Sequence, residues 1–117
     1  MSTTFFGAAF DATDAARTAE FWSAVLGRPV NEGASADHAA IDATTPELGP
    51  RLAFHKVPEA KSVKNRFHPD LITTDFDGEI ERLQSLGATV VNEVLAGSAR
   101  WTTLADPDGN EFDLIAG

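Results

Sequence analysis

The sequence predicts an α+β fold built from two tandem βαβββ modules, and three observations predict it. The chain has 117 residues, enough for one ordinary domain that buries roughly 60–70% of its unfolded surface. Short motifs recur in one order at nearly one spacing. Phe10-Asp11-Ala12-Thr13-Asp14 is echoed by Leu71-Ile72-Thr73-Thr74-Asp75 at an offset of 61, Leu26-Gly27 by Leu86-Gly87 at 60, and Val30-Asn31-Glu32 by Val91-Asn92-Glu93 at 61. Each half also carries the same punctuation, reading as a strand, a helix and three further strands. Residues 1–57 form the expected first module, 58–65 a linker and 66–117 the second module, all within a single domain of 1–117.

In the first module, Phe6, Ala8 and Phe10 alternate along an opening strand. A helix follows, with Thr13 or Asp14 able to cap its backbone N–H groups. Its spacing buries Phe21, Trp22, Val25 and Leu26, and Gly27 suits the left-handed residue that ends a helix. Pro29–Glu32, Asp37–Ala43 and Arg51–Val57 are the later strands, separated by Gly33, Thr45-Pro46 and Gly49-Pro50. The second module begins with a strand over Arg66–Thr73, where Pro69 implies an edge or a bulge. Asp75 or Asp77 caps a helix with Ile80, Leu83 and Leu86 on one side, closed by Gly87. Ala88–Leu95, Arg100–Leu104 and Glu111–Ala116 complete it. Between the last two lies Asp106-Pro107-Asp108-Gly109-Asn110, a turn by its chemistry, with its Gly misplaced for an EF-hand calcium loop.

Composition narrows the functional classes. Hydrophobic residues make up 43% of the chain, with eight Phe and two Trp, which excludes a disordered segment. Eighteen acidic against nine basic residues give a formal charge of −9, the wrong sign for a nucleic-acid partner. The excess is spread as eight acids and four bases in residues 1–60 and ten and five in 61–117, so no acidic tail produces it. With no Cys, disulfides, thiolate zinc sites and a cysteine nucleophile are excluded. The N-terminus lacks the basic and apolar regions of a secretory signal, and no stretch approaches the roughly 18 apolar residues of a membrane span. The expectation is a cytoplasmic protein with neither nucleic-acid nor membrane partners.

The segments Lys64-Asn65-Arg66-Phe67-His68-Pro69-Asp70-Leu71, Leu83-Gln84-Ser85-Leu86-Gly87-Ala88, and Trp101 leading into Asp106-Pro107-Asp108-Gly109-Asn110-Glu111-Phe112 carry a family resemblance. With them, the chain resembles the vicinal oxygen chelate superfamily of glyoxalases, bleomycin-resistance proteins and extradiol dioxygenases, and among these the short glyoxalase-like proteins. The resemblance implies that the tandem modules form a curved mixed sheet with a concave cavity and helices on the outer face. It also implies a homodimer.

Strand alternation sorts the polar residues by face. With Phe67 and Leu71 toward the helices, His68 and Asp70 point the other way. With Phe112 and Leu114 in the core, Glu111 and Asp113 share the opposite face, and with Leu52 and Phe54 in the core so does His55. In the resembling family this face lines the cavity, and the metal-ligand positions fall on Gly7, His55, His68 and Asp113. Gly7 offers no ligand. Two imidazoles and a carboxylate from His55, His68 and Asp113 suit Fe(II), Mn(II), Ni(II) or Zn(II), so the resemblance implies a divalent metal as the candidate cofactor. The candidate ligand-binding residues are His55, His68, Asp70, Trp101, Glu111 and Asp113. Trp101 can stack on an aromatic or cationic ligand, whereas Trp22 sits at core spacing. Lys56, Lys61, Lys64 and Arg66 could face an anion or simply solvent, and His38 has no partner that the sequence identifies. Two functions stay open. One is non-catalytic sequestration of a small cationic or aromatic molecule, in the manner of bleomycin-resistance proteins. The other is a metal-dependent lyase, isomerase or dioxygenase.

Overall fold

A computed structural model of the chain describes residues 2–43 and 49–117, so the expected break at Thr45-Pro46 lies outside the described residues. The chain divides into two compact units between Ala60 and Lys61.

The first unit holds β1 (Gly7–Ala12), α1 (Ala15–Leu26), β2 (His38–Ile41) and β3 (Arg51–Lys56). Its sheet runs β1-β3-β2, with β1 parallel and β2 antiparallel to β3. Asp14 caps α1 by accepting the Arg17 amide at 3.2 Å. Gly27 ends it in the left-handed conformation at φ +66°, where its freedom from a Cβ matters. Phe21, Trp22 and Val25 face inward as their spacing requires, together with Ala15, Thr18 and Ala19, while Leu26 is half-buried. The core is aromatic: the Phe10 ring lies 5.2 Å from both Trp22 and Phe54, and Phe21 meets Trp22 edge-on at 5.6 Å.

Two expectations for this unit need correction. Phe6 precedes β1 and is 75% exposed, lying beneath the Arg51 guanidinium at 5.6 Å rather than in the core. Pro29–Glu32 forms no strand. Pro29 lacks a ladder donor and Gly33 turns the chain at φ +88°, so the contact with β2 reduces to Asn31. There the backbone amide donates to Ala40 at 2.8 Å, and the side-chain oxygen accepts from the Asp42 amide at 3.2 Å.

The second unit holds β4 (Asp70–Thr73), α2 (Phe76–Ser85), β5 (Thr89–Ala96), β6 (Ala99–Ala105) and β7 (Glu111–Ala116). Its sheet order is β4-β7-β6-β5, with β4 parallel to β7 and the other pairs antiparallel. Matching β4, β7 and β6 to β1, β3 and β2 reproduces the order of the first sheet, and β5 is the added strand. Asp75 caps α2 by accepting the Gly78 amide at 3.3 Å, and Ala88 N–H closes its end onto the Leu83 carbonyl at 3.0 Å. Leu83, Ala88, Leu104, Phe112 and Leu114 form a smaller core. Asp106 organises the turn before β7 by accepting the amides of Asp108 and Asn110, both at 2.9 Å.

The opening strand of this unit is shorter than its sequence suggests. β4 begins only at Asp70, and Phe67 is 70% exposed instead of facing the core. Pro69 has no N–H to donate, but its carbonyl accepts from the Asp113 amide at 2.9 Å, so pairing starts from its acceptor side. The residues before it are released from the ladder.

Candidate functional site

A cleft of about 490 Å³ opens in the second unit, lined by side chains that include Lys64, His68, Asp70, Trp101, Thr103 and Asp113. Its floor follows from strand pairing. β4 and β7 run parallel with Asp70 opposite Asp113, and lateral partners share a face of a sheet. Asp113 and Thr103 are paired between β7 and β6 in the same row. His68 stands two residues before Asp70, and the chain through Pro69 keeps it on that side.

The side chains converge. His68 Nδ1 lies 3.0 Å from Asp113 Oδ2 and 3.6 Å from Asp70 Oδ1. Ligand atoms from all three residues lie within 4.8 Å of one another. Asp113 is 8% exposed, and Thr103 Oγ1 donates to its Oδ1 at 2.5 Å, leaving Oδ2 to face His68. Two atoms bound to one metal at about 2.1 Å stand about 3.0 Å apart when cis on an octahedron, so the His68–Asp113 pair has a chelating span. One imidazole and two carboxylates form a mixed nitrogen and oxygen donor set, which suits Mn(II), Fe(II) or Zn(II).

Glu111 shares the parity of Asp113 but has a different role. It is buried, and Lys61 Nζ and Lys64 Nζ stand 3.1 and 3.5 Å from its carboxylate oxygens. Burial pushes its carboxyl up, but the hydrogen bond and charge of Lys61 with those of Lys64 outweigh it, and the carboxyl sits below its usual range. Part of the segment expected to be a linker is therefore fastened to β7, and Lys64 is brought to the cleft by the same contact.

Of the sequence-derived candidates, His68, Asp70, Trp101 and Asp113 line one cleft, while Glu111 anchors the lysines beside it. His55 lies in the first unit on β3, where its ring centroid is 4.9 Å from that of His38. Gly7 contributes nothing to a ligand set, and a Cβ there would stand 2.2 Å from the Arg51 carbonyl oxygen. Thr103, Asn92 and Val94 are lining residues that sequence reading missed. Thr103 was within reach of it, since alternation from the buried Leu104 places it on the open face.

Comparison with protein families finds the glyoxalase-like domain over residues 7–115. No curated protein matches the sequence. Solved structures share the fold. The fosfomycin resistance protein FosX from Mesorhizobium loti is 18% identical at a TM-score of 0.74, with 100% of this chain and 94% of that one covered. A FosX mutant from Listeria monocytogenes, complexed with Mn(II) and 1S,2S-dihydroxypropylphosphonic acid, is 17% identical at a TM-score of 0.76, covering 100% and 92%. A glyoxalase/bleomycin resistance protein/dioxygenase family enzyme from Burkholderia phytofirmans is 16% identical at 0.71, covering 92% and 94%.

Proposed function

The chain belongs to the glyoxalase-like domain family, and we propose that it binds a small molecule in the cleft of its second unit, over a divalent cation held by His68, Asp70 and Asp113. The observation that carries this reading is the convergence of three ligand-bearing side chains on the cleft floor. A cation held there supplies a Lewis acid for a ligand oxygen. Thr103 fixes the Asp113 carboxylate, so less side-chain freedom is lost when it binds. Trp101 offers a ring to an apolar part of the ligand, and Lys64 places an ammonium at the cleft. That Mn(II) accompanies a small phosphonic acid in the FosX mutant complex supports a cation of this type.

Calorimetric titration of Mn(II) into the metal-stripped protein tests the proposal. The expected result is one site per chain, weakened at least about tenfold by Asp113→Ala and by His68→Ala, since each removes a direct ligand. Unchanged affinity in both variants overturns it.

A second reading is favoured by Trp101 lying in one cleft with Asp70 and Asp113. This reading is metal-free sequestration of a cationic aromatic molecule by ring stacking and carboxylate attraction. It expects such a ligand to quench the fluorescence of Trp101 equally with and without EDTA. Quenching that requires Mn(II) favours the first reading, and quenching that persists in Trp101→Phe rules out the cleft.

A further inference from the structure

The first unit carries its own pair of imidazoles, on strands far in sequence but adjacent in the sheet. His38 on β2 is the lateral partner of His55 on β3, and both are exposed. The backbone bonds identify the kind of pairing. Lys56 N–H donates to the Asp37 carbonyl at 2.9 Å, one residue outside the pair, and the His38 amide and carbonyl bond instead to Ser35. His38 and His55 therefore form a non-hydrogen-bonded antiparallel pair, in which facing side chains come closest. Asp11 on β1 is the next residue in the same lateral row, adding negative charge beside the imidazoles.

The ring geometry fits a shared ion. A ring centroid lies about 3.1 Å from a metal bound through nitrogen at about 2.0 Å, so two such rings stand about 4.4 Å apart at a square-planar cis angle and about 5.1 Å apart at a tetrahedral one. The observed separation is 4.9 Å, with the planes at 50°. We propose that His38 and His55 form a second metal site, a cross-strand chelate for a borderline divalent transition ion of the Ni(II), Cu(II) or Zn(II) class. Two neutral nitrogen donors disfavour Mg(II) and Ca(II), which take oxygen ligands. Two protein ligands leave the remaining coordination positions to water or to a small exogenous chelator. This site shares no residue with the His68, Asp70 and Asp113 cluster and does not depend on the reading of that cluster.

The test uses the full chain carrying His68→Ala and Asp113→Ala, which removes the other cluster, and Ni(II) as the probe. The expected result is one Ni(II) bound per chain, with paramagnetic broadening of the His38 and His55 ring resonances and no broadening by Mg(II). Adding His38→Ala or His55→Gln removes one arm of the chelate and weakens binding by about tenfold or more. Both positions are exposed, so far-UV circular dichroism is expected to match the parent. Failure of the parent to bind Ni(II), or equal affinity after loss of His38, overturns the proposal.

Discussion

The two units share a strand order but spend their residues differently. Gly7, Ala9 and Ala53 in the first unit correspond in sequence to His68, Asp70 and Asp113 in the second, at offsets of 61, 61 and 60. Ala9 pairs with Ala53 across β1 and β3 just as Asp70 pairs with Asp113 across β4 and β7. The same backbone ladder thus carries small, mute side chains in one copy and a convergent ligand set in the other. The helices show the reverse bias. α1 buries six side chains, including Phe21 and Trp22, whereas α2 buries only Leu83. A polar cluster costs desolvation and conformational freedom, and a duplicated fold lets one copy carry it while the other concentrates aromatic packing.

The largest expected difference between the units lies in their cores. Phe54 is fully buried and stacked on Phe10, so Phe54→Ala is expected to cost about 3–5 kcal/mol by urea denaturation. Leu83→Ala empties a smaller core at a position that is also fully buried, with an expected cost of about 2–4 kcal/mol. An equal or larger loss at Leu83 would show that the smaller core of the second unit contributes as much as the aromatic core of the first.

A smaller difference is expected at the corresponding positions Gly7 and His68. A Cβ at Gly7 meets the backbone of Arg51, which can move only with its strand, so Gly7→Ala is expected to cost about 1–3 kcal/mol. His68 is exposed, and His68→Ala is expected to change stability by less than about 0.5 kcal/mol while removing a cation ligand. Equal stability losses from the two would mean that the divergence at this position is structural in both units.

Much of this division was legible in the sequence, and the reasons it was not entirely so are local. Alternation placed Asp70 and Asp113 on one face, because parity along a strand survives without knowledge of neighbours, whereas His68 precedes β4 and reaches them from outside the ladder. The helix boundaries at Asp14, Gly27 and Asp75 were legible because caps are chemically specific. Phe6 and Phe67 misled because an aromatic in phase with a strand reads as core even where the ladder has not begun. Val30-Asn31-Glu32 matched Val91-Asn92-Glu93 in letters, yet only the latter lies in a strand, since Pro29 and Gly33 flank the former. The His38–His55 pair needed the register of β2 on β3, which no local pattern encodes.

Ion pairs also separate the units. Lys61 on Glu111 is mostly buried, whereas the Arg51–Asp42 pair of the first unit leaves its carboxylate more than half exposed. Glu111 has its folded-state pKa held below the ordinary value, so its contribution is present above the unfolded pKa of about 4.3 and is lost as pH falls through the folded one. Lys61→Ala is therefore expected to cost about 1 kcal/mol at pH 7, with the gap from the native chain closing as pH falls below about 4.3. Asp42→Asn should cost less than half of that. A Lys61→Ala loss that stays constant from pH 7 to pH 3 would show that the lysine acts by packing alone.

The smallest expected effect concerns what supports a helix with little to bury. α1 has no acidic residue in its first turn and no basic residue in its last, and its packing suffices. α2 has Asp77 and Glu79 at its start and Arg82 in its last turn, matching the helix dipole at both ends. Arg82 grips Glu79 with two nitrogens at 2.7 and 2.8 Å, a contact that lowers the Glu79 pKa and raises that of Arg82. The pair is exposed to solvent, so Arg82→Ala is expected to cost only about 0.3–0.5 kcal/mol in low salt. At 1 M salt the screening length shrinks to about 3 Å, and most of that difference should vanish. Glu20→Gln on the exposed face of α1 serves as the control and should change stability by no more than a few tenths of a kcal/mol at either salt concentration. A salt-sensitive loss confined to α2 would mean that the second unit supplements a thin core with surface charge, whereas equal losses on both helices would leave packing as the only difference between them.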